Sequence, residues 1–252
     1  MCLEEVHVLL LWFKVSTIFP LLRYINYQSL WLLVYLENID RDLRSIEPGD
    51  IMELHLIRHG QTNWNVQRRI QGQSESILTD LGIHQAQVLG ERLGHLDFDQ
   101  VFCSTSLRTR QTAEHIFKHR DFNIEYLDSL REIGMGPWEG RLHDAVARDE
   151  PELYKHFFHE PHLFNVPGAE TFAQIQQRIV TAVKTIVATF HQRQVMMVSH
   201  GTILKSFLCY IQQRPLSEMR DLPQLHNCSH SIVEVNADGS GRVVQYADQP
   251  VE

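Results

Sequence analysis

The residues best equipped for chemistry stand in Leu54-His55-Leu56-Ile57-Arg58-His59-Gly60-Gln61-Thr62-Asn63-Trp64-Asn65. A short apolar run ends in Arg-His-Gly and leads into a helical stretch. His59 offers a base that can act as a nucleophile, and Arg58 is a fixed cation beside it. Gly60 is a position where backbone can come close to a ligand. Glycine turns between a strand and a helix favour phosphate, because the first free N–H groups of the helix point at the anion. A second pair, in Ser199-His200-Gly201-Thr202, also follows an apolar run, Val195-Met196-Met197-Val198. Two strand-end His-Gly pairs in one chain point to one shared site.

The elements that must position these groups follow from the pattern of apolar residues. From Met52 onward, strands and helices alternate. The sequence predicts strands at Glu53–Ile57, Gln100–Cys103, Ile124–Leu127 and Val195–Ser199. Thr79 is a helix cap, with Leu81, Val88, Leu89 and Leu93 following at helical spacing. Further helices are predicted over Leu107–Phe117 and Thr202–Tyr210, and the longest over Thr171–Gln192. On this last one Phe172, Ile175, Ile179, Val183, Ile186, Val187 and Phe190 share a face. Ser229–Asn236 and Arg242–Ala247 read as a hairpin around Asp238-Gly239. Residues 131–168 read as less regular, punctuated by Pro137, Pro151, Pro161 and Pro167. The alternation implies a three-layer αβα sandwich around a mostly parallel sheet. Ligands of such sheets collect at the carboxyl ends of the strands, where His59 and His200 fall.

Bulk composition narrows the partners. The chain has 252 residues, 43% hydrophobic and 21% charged, with a net charge of -8. Nucleic acid is a poor partner for that balance, since it needs a basic face. A few local Arg residues can still oppose the global sign and hold an anionic substrate. The four cysteines, Cys2, Cys103, Cys209 and Cys228, form no C-x-x-C pair, so neither a zinc site nor a disulfide framework is indicated. A reduced cytoplasm is the simplest compartment.

Residues 1–51 differ from the rest. Their apolar runs, Val6–Phe13 and Leu30–Leu36, are too short to span a bilayer, which takes about 20 residues. Glu4 and Glu5 stand where a signal peptide carries basic residues. The segment reads as an upstream start with Met52 as the true beginning, as an interfacial anchor or packed helical extension, or, least of all, as a membrane span. The catalytic domain is expected over residues 52–252, with a lid insertion at about 141–168.

Three further pieces join the two histidines. Arg108 lies in Ser104-Thr105-Ser106-Leu107-Arg108-Thr109-Arg110-Gln111-Thr112-Ala113, where a strand passes into a helix. Glu132 lies in the glycine-rich loop Leu130-Arg131-Glu132-Ile133-Gly134-Met135-Gly136-Pro137-Trp138-Glu139-Gly140. Arg68-Arg69-Ile70-Gln71-Gly72 supplies another loop. With Pro167-Gly168-Ala169-Glu170 and Ser199-His200-Gly201, the order and spacing of these motifs resemble the histidine phosphatase superfamily, in its phosphoglycerate-mutase-like branch. The resemblance covers Met52 to about Ala247. Arg68–Ser74 and Asn227-Cys228-Ser229 look like the bacterial mutase-like phosphatases.

The resemblance implies that His59 attacks phosphorus and becomes phosphohistidine, splitting one hard displacement into two easier ones. It implies that Arg58 and Arg108 hold the phosphoryl oxygens and keep His59 neutral. His200, charged when ligand is bound, adds a donor, and no metal or cofactor is required. Glu132 is expected to protonate the leaving alcohol and then activate water, with a raised pKa and a slightly acidic optimum. Gly60, Gln61, Thr62, Asn65, Gln71, Gly72, Gly201 and Thr202 are expected to line the phosphate pocket. Arg110 is a weaker candidate, since two residues from Arg108 a helix points elsewhere. His156, His159 and His162 recur every third residue, but without a carboxylate or cysteine at ligand spacing they read as part of a lid rather than a metal site.

The expected activity is hydrolysis of small phosphorylated metabolites: sugar phosphates, phosphoglycerate, α-ribazole phosphate or phosphoamino acids. A phosphoglycerate mutase is the alternative. It must retain a doubly anionic intermediate, and residues 141–168 offer only Arg141, Arg148 and Lys155 against Asp144, Asp149, Glu150, Glu152 and Glu160. After Gln71-Gly72 the family's acidic-then-proline turn is altered to Glu75 and Ile77. A non-catalytic phospho-ligand scaffold is the reading from outside the enzymes. The oligomeric state is open, a homodimer being one outcome.

Overall fold

A computed structural model describes residues 51–118, 120, 122–190 and 193–251. The readings of residues 1–50 lie outside the described residues. Ile51 already belongs to the first strand.

Seven strands form one sheet: β1 (Ile51–Arg58), β2 (Gln100–Ser104), β3 (Ile124–Leu127), β4 (Gln194–Ser199), β5 (His230–Asn236), β6 (Gly241–Tyr246) and β7 (Gln249–Pro250). Their order is β3-β2-β4-β1-β5-β6-β7. The four strands from β3 to β1 run parallel. The β5-β6 hairpin and the short β7, which the sequence did not suggest, extend the sheet antiparallel. The sheet is therefore mixed, with a parallel core.

The helices are α1 (Asn63–Val66), α2 (Asp80–Arg92), α3 (Leu107–Ile116), α4 (His143–Asp149), α5 (Pro151–His159), α6 (Phe172–Phe190) and α7 (Gly201–Ile211). Leu54, Leu56 and Ile57 of β1 are all buried, although they point to both faces. A strand covered on both sides carries such an unbroken apolar run. One face packs Leu54, Leu56, Val195 and Met197 against α6 and α7, through Ile175, Ile179, Val183, Ile203 and Phe207. The other packs Ile57, Val101, Cys103, Met196 and Val198 against α2 and α3, through Ala86, Leu89, Ala113 and Ile116.

Two sequence expectations change. On α2, Leu81 and Val88 are exposed, and the buried face is Gly82, Ala86 and Leu89. Small residues there let the helix lie close to the Gln61 backbone. Thr79 does cap α2, accepting from Gly82 N–H. Residues 131–168, read as less regular, contain α4, α5 and a 3-10 turn at Pro161–Leu163. Pro151 and Pro161 open these elements, because proline at a first helical position forfeits an N–H that would be unpaired anyway.

Candidate active site

Parallel pairing creates the site. Arg58 at the end of β1 is in register with Ser199 at the end of β4. The next residues, His59 and His200, therefore emerge side by side, and His59 N–H donates to Ser199 O at 3.0 Å. The two imidazole centroids are 5.4 Å apart, with planes inclined at 62°. The segments after β2 and β3 bring Arg108 and Glu132 to the same edge of the sheet. Arg58, His59, Arg108 and Glu132 line one cavity of about 300 Å³.

His59 is buried, and its Nδ1–H donates to Gly60 O at 2.8 Å. That bond fixes the tautomer with the Nε2 lone pair free, and Nε2 has no hydrogen-bond partner among the described residues. Burial, then Arg108, then Arg58 hold its pKa well below the ordinary imidazole range. The neutral base needed for attack is the resting form. His200 is also fully buried and held well below that range, first by burial and then by Arg108. Its Nδ1 accepts from Arg108 Nε at 3.1 Å, so Nε2–H donates to Ser104 Oγ at 2.8 Å. His200 is thus neutral, with both nitrogens engaged.

Arg108 is completely buried, and burial pulls its pKa down to about 10, which leaves it a cation at neutral pH. Two of its N–H groups donate to the carbonyls of Ser74 and Gly72, at 2.9 and 2.7 Å. With the bond to His200 these take three of the five guanidinium donors, so two remain for a ligand. Arg58 donates to Leu225 O, and its Nε is buried without a partner.

Glu132 accepts three backbone N–H bonds: Oε2 from Thr202 at 3.0 Å, Oε1 from Ile203 at 3.0 Å and from Ile133 at 2.9 Å. Two of these donors open α7, where helical N–H groups lack partners within the helix. A carboxylate has about four acceptor positions, so one lone pair is left, on Oε2.

These bonds revise the expectation that free helix N–H groups cradle the phosphate. The Thr202 donor is taken by Glu132. At the other motif, Gly60 N–H donates to Thr112 Oγ1, Gln61 N–H to Gln85 Oε1 and Thr62 N–H to Asn65 Oδ1. Side chains consume these four donors, which leaves the anion pocket to depend mainly on side chains. Gly60 is required because a Cβ there would lie 2.6 Å from Gly82 O.

The remaining predicted contacts divide accordingly. Asn65, Gln71, Gly72 and Thr202 line the cavity, and Gly201 lines an adjoining lobe. Asn65 Oδ1 is occupied by Thr62, which leaves its amide N–H₂ to face a ligand. Gln71 Oε1 accepts from Ser76 in the same way. Gly72, at φ +53, presents its carbonyl to Arg108. Gly60, Gln61 and Thr62 are not in the cavity wall; Gly60 packs on Gly82, Thr62 caps α1 and Gln61 ties to Thr79. Arg110 does not join the site: its guanidinium stacks 4.6 Å over the Tyr126 ring, on the other side of α3. Among the described residues no His, Cys, Asp and Glu cluster is arranged to hold a metal, His156, His159 and His162 included.

Several residues of the site received no role from sequence. Asn227 Nδ2 donates to His59 O at 3.0 Å, Ser104 receives His200, and Thr112 anchors Gly60. All three stand in the quoted motifs, but only the fold brings them to the histidines. Trp138, His143, Tyr154, Phe157 and Phe158 form an aromatic wall opposite the charged groups.

Residues 54–249 match the family model for the histidine phosphatase superfamily (branch 1), and the chain belongs to that superfamily. The superfamily comprises phosphatases and phosphoglycerate mutases, so this is an enzyme of one of those activities. The chain is 32% identical over 200 residues to a "Probable phosphoglycerate mutase GpmB" of Salmonella choleraesuis, covering 78% of this chain and 93% of that protein. Among solved structures it resembles YhfR of Bacillus stearothermophilus, at 36% identity and a TM-score of 0.75, covering 78% of this chain and 97% of the other. It also resembles a putative alpha-ribazole-5'-P phosphatase of Escherichia coli, at 27% identity and a TM-score of 0.68, with 80% and 99% covered.

Proposed function

We propose that the chain is a metal-independent phosphomonoesterase acting on small phosphorylated metabolites through a phosphohistidine at His59. Nε2 of His59 attacks phosphorus in line; the N–P bond forms as the P–O bond to the alcohol breaks. Glu132 gives its proton, carried on the remaining Oε2 lone pair, to the departing oxygen. Arg58 and Arg108 balance the charge of the phosphoryl group as it passes through a loose transition state. In the second step Glu132 takes a proton from water, the resulting oxygen attacks phosphorus, and the N–P bond breaks. His59 returns to its neutral tautomer with Nδ1–H still on Gly60 O.

Hydrolysis is favoured over mutase chemistry by one observation. The three cations of residues 141–168 are spent on carboxylates of the same segment. Arg141 pairs with Glu150 and Asp149, Arg148 with Asp149, and Lys155 with Glu160. What the segment presents to the cavity is His143, Tyr154, Phe157 and Phe158. This aromatic wall adds no lysine or arginine of the segment to hold a retained bisphosphate, which favours loss of the phosphoryl group to water. The mutase reading draws support from the likeness to the probable phosphoglycerate mutase of Salmonella.

The test is a phosphate-release screen across phosphomonoesters, with 3-phosphoglycerate followed for isomerisation with and without 2,3-bisphosphoglycerate. Release faster than isomerisation for all substrates is expected; isomerisation outrunning release would overturn the assignment. The proposed compartment is the cytoplasm. The buried cysteines Cys103, Cys209 and Cys228 are free thiols, and no described helix is long and apolar enough to cross a membrane.

A further inference from the structure

The cavity over His59 opens into a second lobe of about 180 Å³, and the two share Arg58, Glu132, Phe157, Phe158, Thr202 and Gln224. Because Glu132 stands on the boundary, the group that leaves with the alcohol oxygen must extend into this lobe. Apolar side chains from Phe157, Phe158, Pro161, Phe172, Met219 and Leu225 alternate there with polar and charged ones. In such a pocket the polar groups set orientation and specificity.

The charged groups there are unequally engaged. Arg58 donates to Leu225 O, and Arg220 is held by Asp221 at 3.2 Å. Glu132 is covered by its three backbone N–H bonds. Lys205, one turn further along α7 than Gly201, is half-buried and has neither an ion pair nor a hydrogen-bond partner among the described residues. Burial draws its pKa down, while the nearest opposing influences are Cys209 and Asp221. A half-buried ammonium without a partner is unfavourable by itself, and a counter-charge brought by a ligand relieves that.

We propose that Lys205 is a specificity-determining residue that binds a carboxylate on the alcohol portion of the substrate. This rests on the phosphomonoesterase reading and narrows its substrate class to phosphomonoesters of carboxylate-bearing alcohols with an apolar or aromatic body. A single half-buried ammonium matches a monoanion, and the other lysine or arginine on this side of the lobe, Arg220, is exposed and paired with Asp221. Lys205 lines the same lobe as Phe157, Phe158 and Glu132, within which the carboxylate would meet it.

Two esters of the same shape test this: 4-carboxyphenyl phosphate, and 4-carbamoylphenyl phosphate as its uncharged counterpart. The quantity read is the ratio of kcat/KM for the first over the second, compared between wild type, Lys205→Met and Lys205→Arg. Comparing proteins cancels the difference in leaving-group quality. Replacing Lys205 by Met is expected to lower the ratio by about tenfold or more, the size of a lost charge-assisted hydrogen bond. Lys205→Arg should restore most of it. A ratio unchanged within about twofold in Lys205→Met would overturn the role of Lys205 while leaving hydrolysis intact. Failure of the wild type to release phosphate from either ester would overturn the phosphomonoesterase reading and this proposal together.

Discussion

Strand β1 and the residue that follows it carry two buried histidines four residues apart, and each faces a second histidine. His59 meets His200 beyond β4, and His55 meets His230 on β5. Both pairs are buried, both border a hollow, and all four imidazoles are held below their ordinary pKa mainly by burial. Yet their wiring differs. His55 Nδ1 shares a hydrogen bond with His230 Nε2 at 2.9 Å, and its Nε2 meets Glu53 at 2.8 Å. His230 Nδ1 lies 3.3 Å from Gln245. Every ring nitrogen of that pair is occupied, and the neighbouring Arg92 is neutralised by Asp248. At the other pair Nε2 of His59 is left open beside two guanidinium groups. Burial and a lowered pKa accompany both kinds of histidine; an uncommitted nitrogen aimed at a cationic cavity sets the reactive one apart.

The sharpest break between the pairs comes from Glu132, which only the first pair has beside it. Glu132→Ala is expected to lower kcat by about 10²–10⁴ for an alkyl phosphate. The loss should be much smaller for 4-nitrophenyl phosphate, whose leaving group needs no proton. Equal losses for both esters would deny the proton-donor role.

Acid should expose what the pairs have in common. Each buried histidine is neutral in the folded chain and becomes protonated on unfolding once pH falls below the ordinary value of 6.5. The unfolded state then binds more protons, so stability falls as pH falls, by up to about 1.4 kcal/mol per pH unit for each group. For His230, whose folded value is about 3, the loss runs from 6.5 down to about 3. Denaturant unfolding should give a lower midpoint at pH 5 than at pH 7.5; an equal or higher midpoint would contradict the neutral assignments.

Removing one partner of the closed pair separates stability from chemistry. His230→Ala strands His55 Nδ1 and should cost about 1–3 kcal/mol of stability. Turnover per folded molecule should stay within about twofold of wild type, since neither ring reaches the catalytic cavity. A hundredfold loss of kcat in folded protein would erase the distinction drawn between the pairs. The smallest effect is expected at Arg110. With its guanidinium stacked on Tyr126, Arg110→Ala should change kcat/KM by less than about threefold, as a surface contact would.

Much of this was legible in the chain. The strand-end positions of His59 and His200 followed from apolar runs, and β3 falls where the sequence put it, at Ile124–Leu127. The motif order gave Arg108 and Glu132. Hydrogen-bond direction was not legible, because it depends on register and loop closure. Sequence assigned the N–H groups after His59 and His200 to phosphate, whereas Thr112, Gln85 and Asn65 take those of Gly60, Gln61 and Thr62, and Glu132 takes that of Thr202. The closed pair was equally invisible. His55 and His230 are 175 residues apart, and only antiparallel pairing of β5 with β1 joins them. The α2 face misled because two of its apolar residues, Leu81 and Val88, point outward while glycine and alanine pack inward.

The central claim is that the open nitrogen of His59 becomes phosphorylated. Brief incubation with a ³²P-labelled phosphomonoester, alkaline quench and peptide mapping should find an alkali-stable, acid-labile phosphoryl group on His59. The label should be missing from His59→Ala and retained in His230→Ala. Turnover without any such label, or a label carried by another residue, would contradict the account.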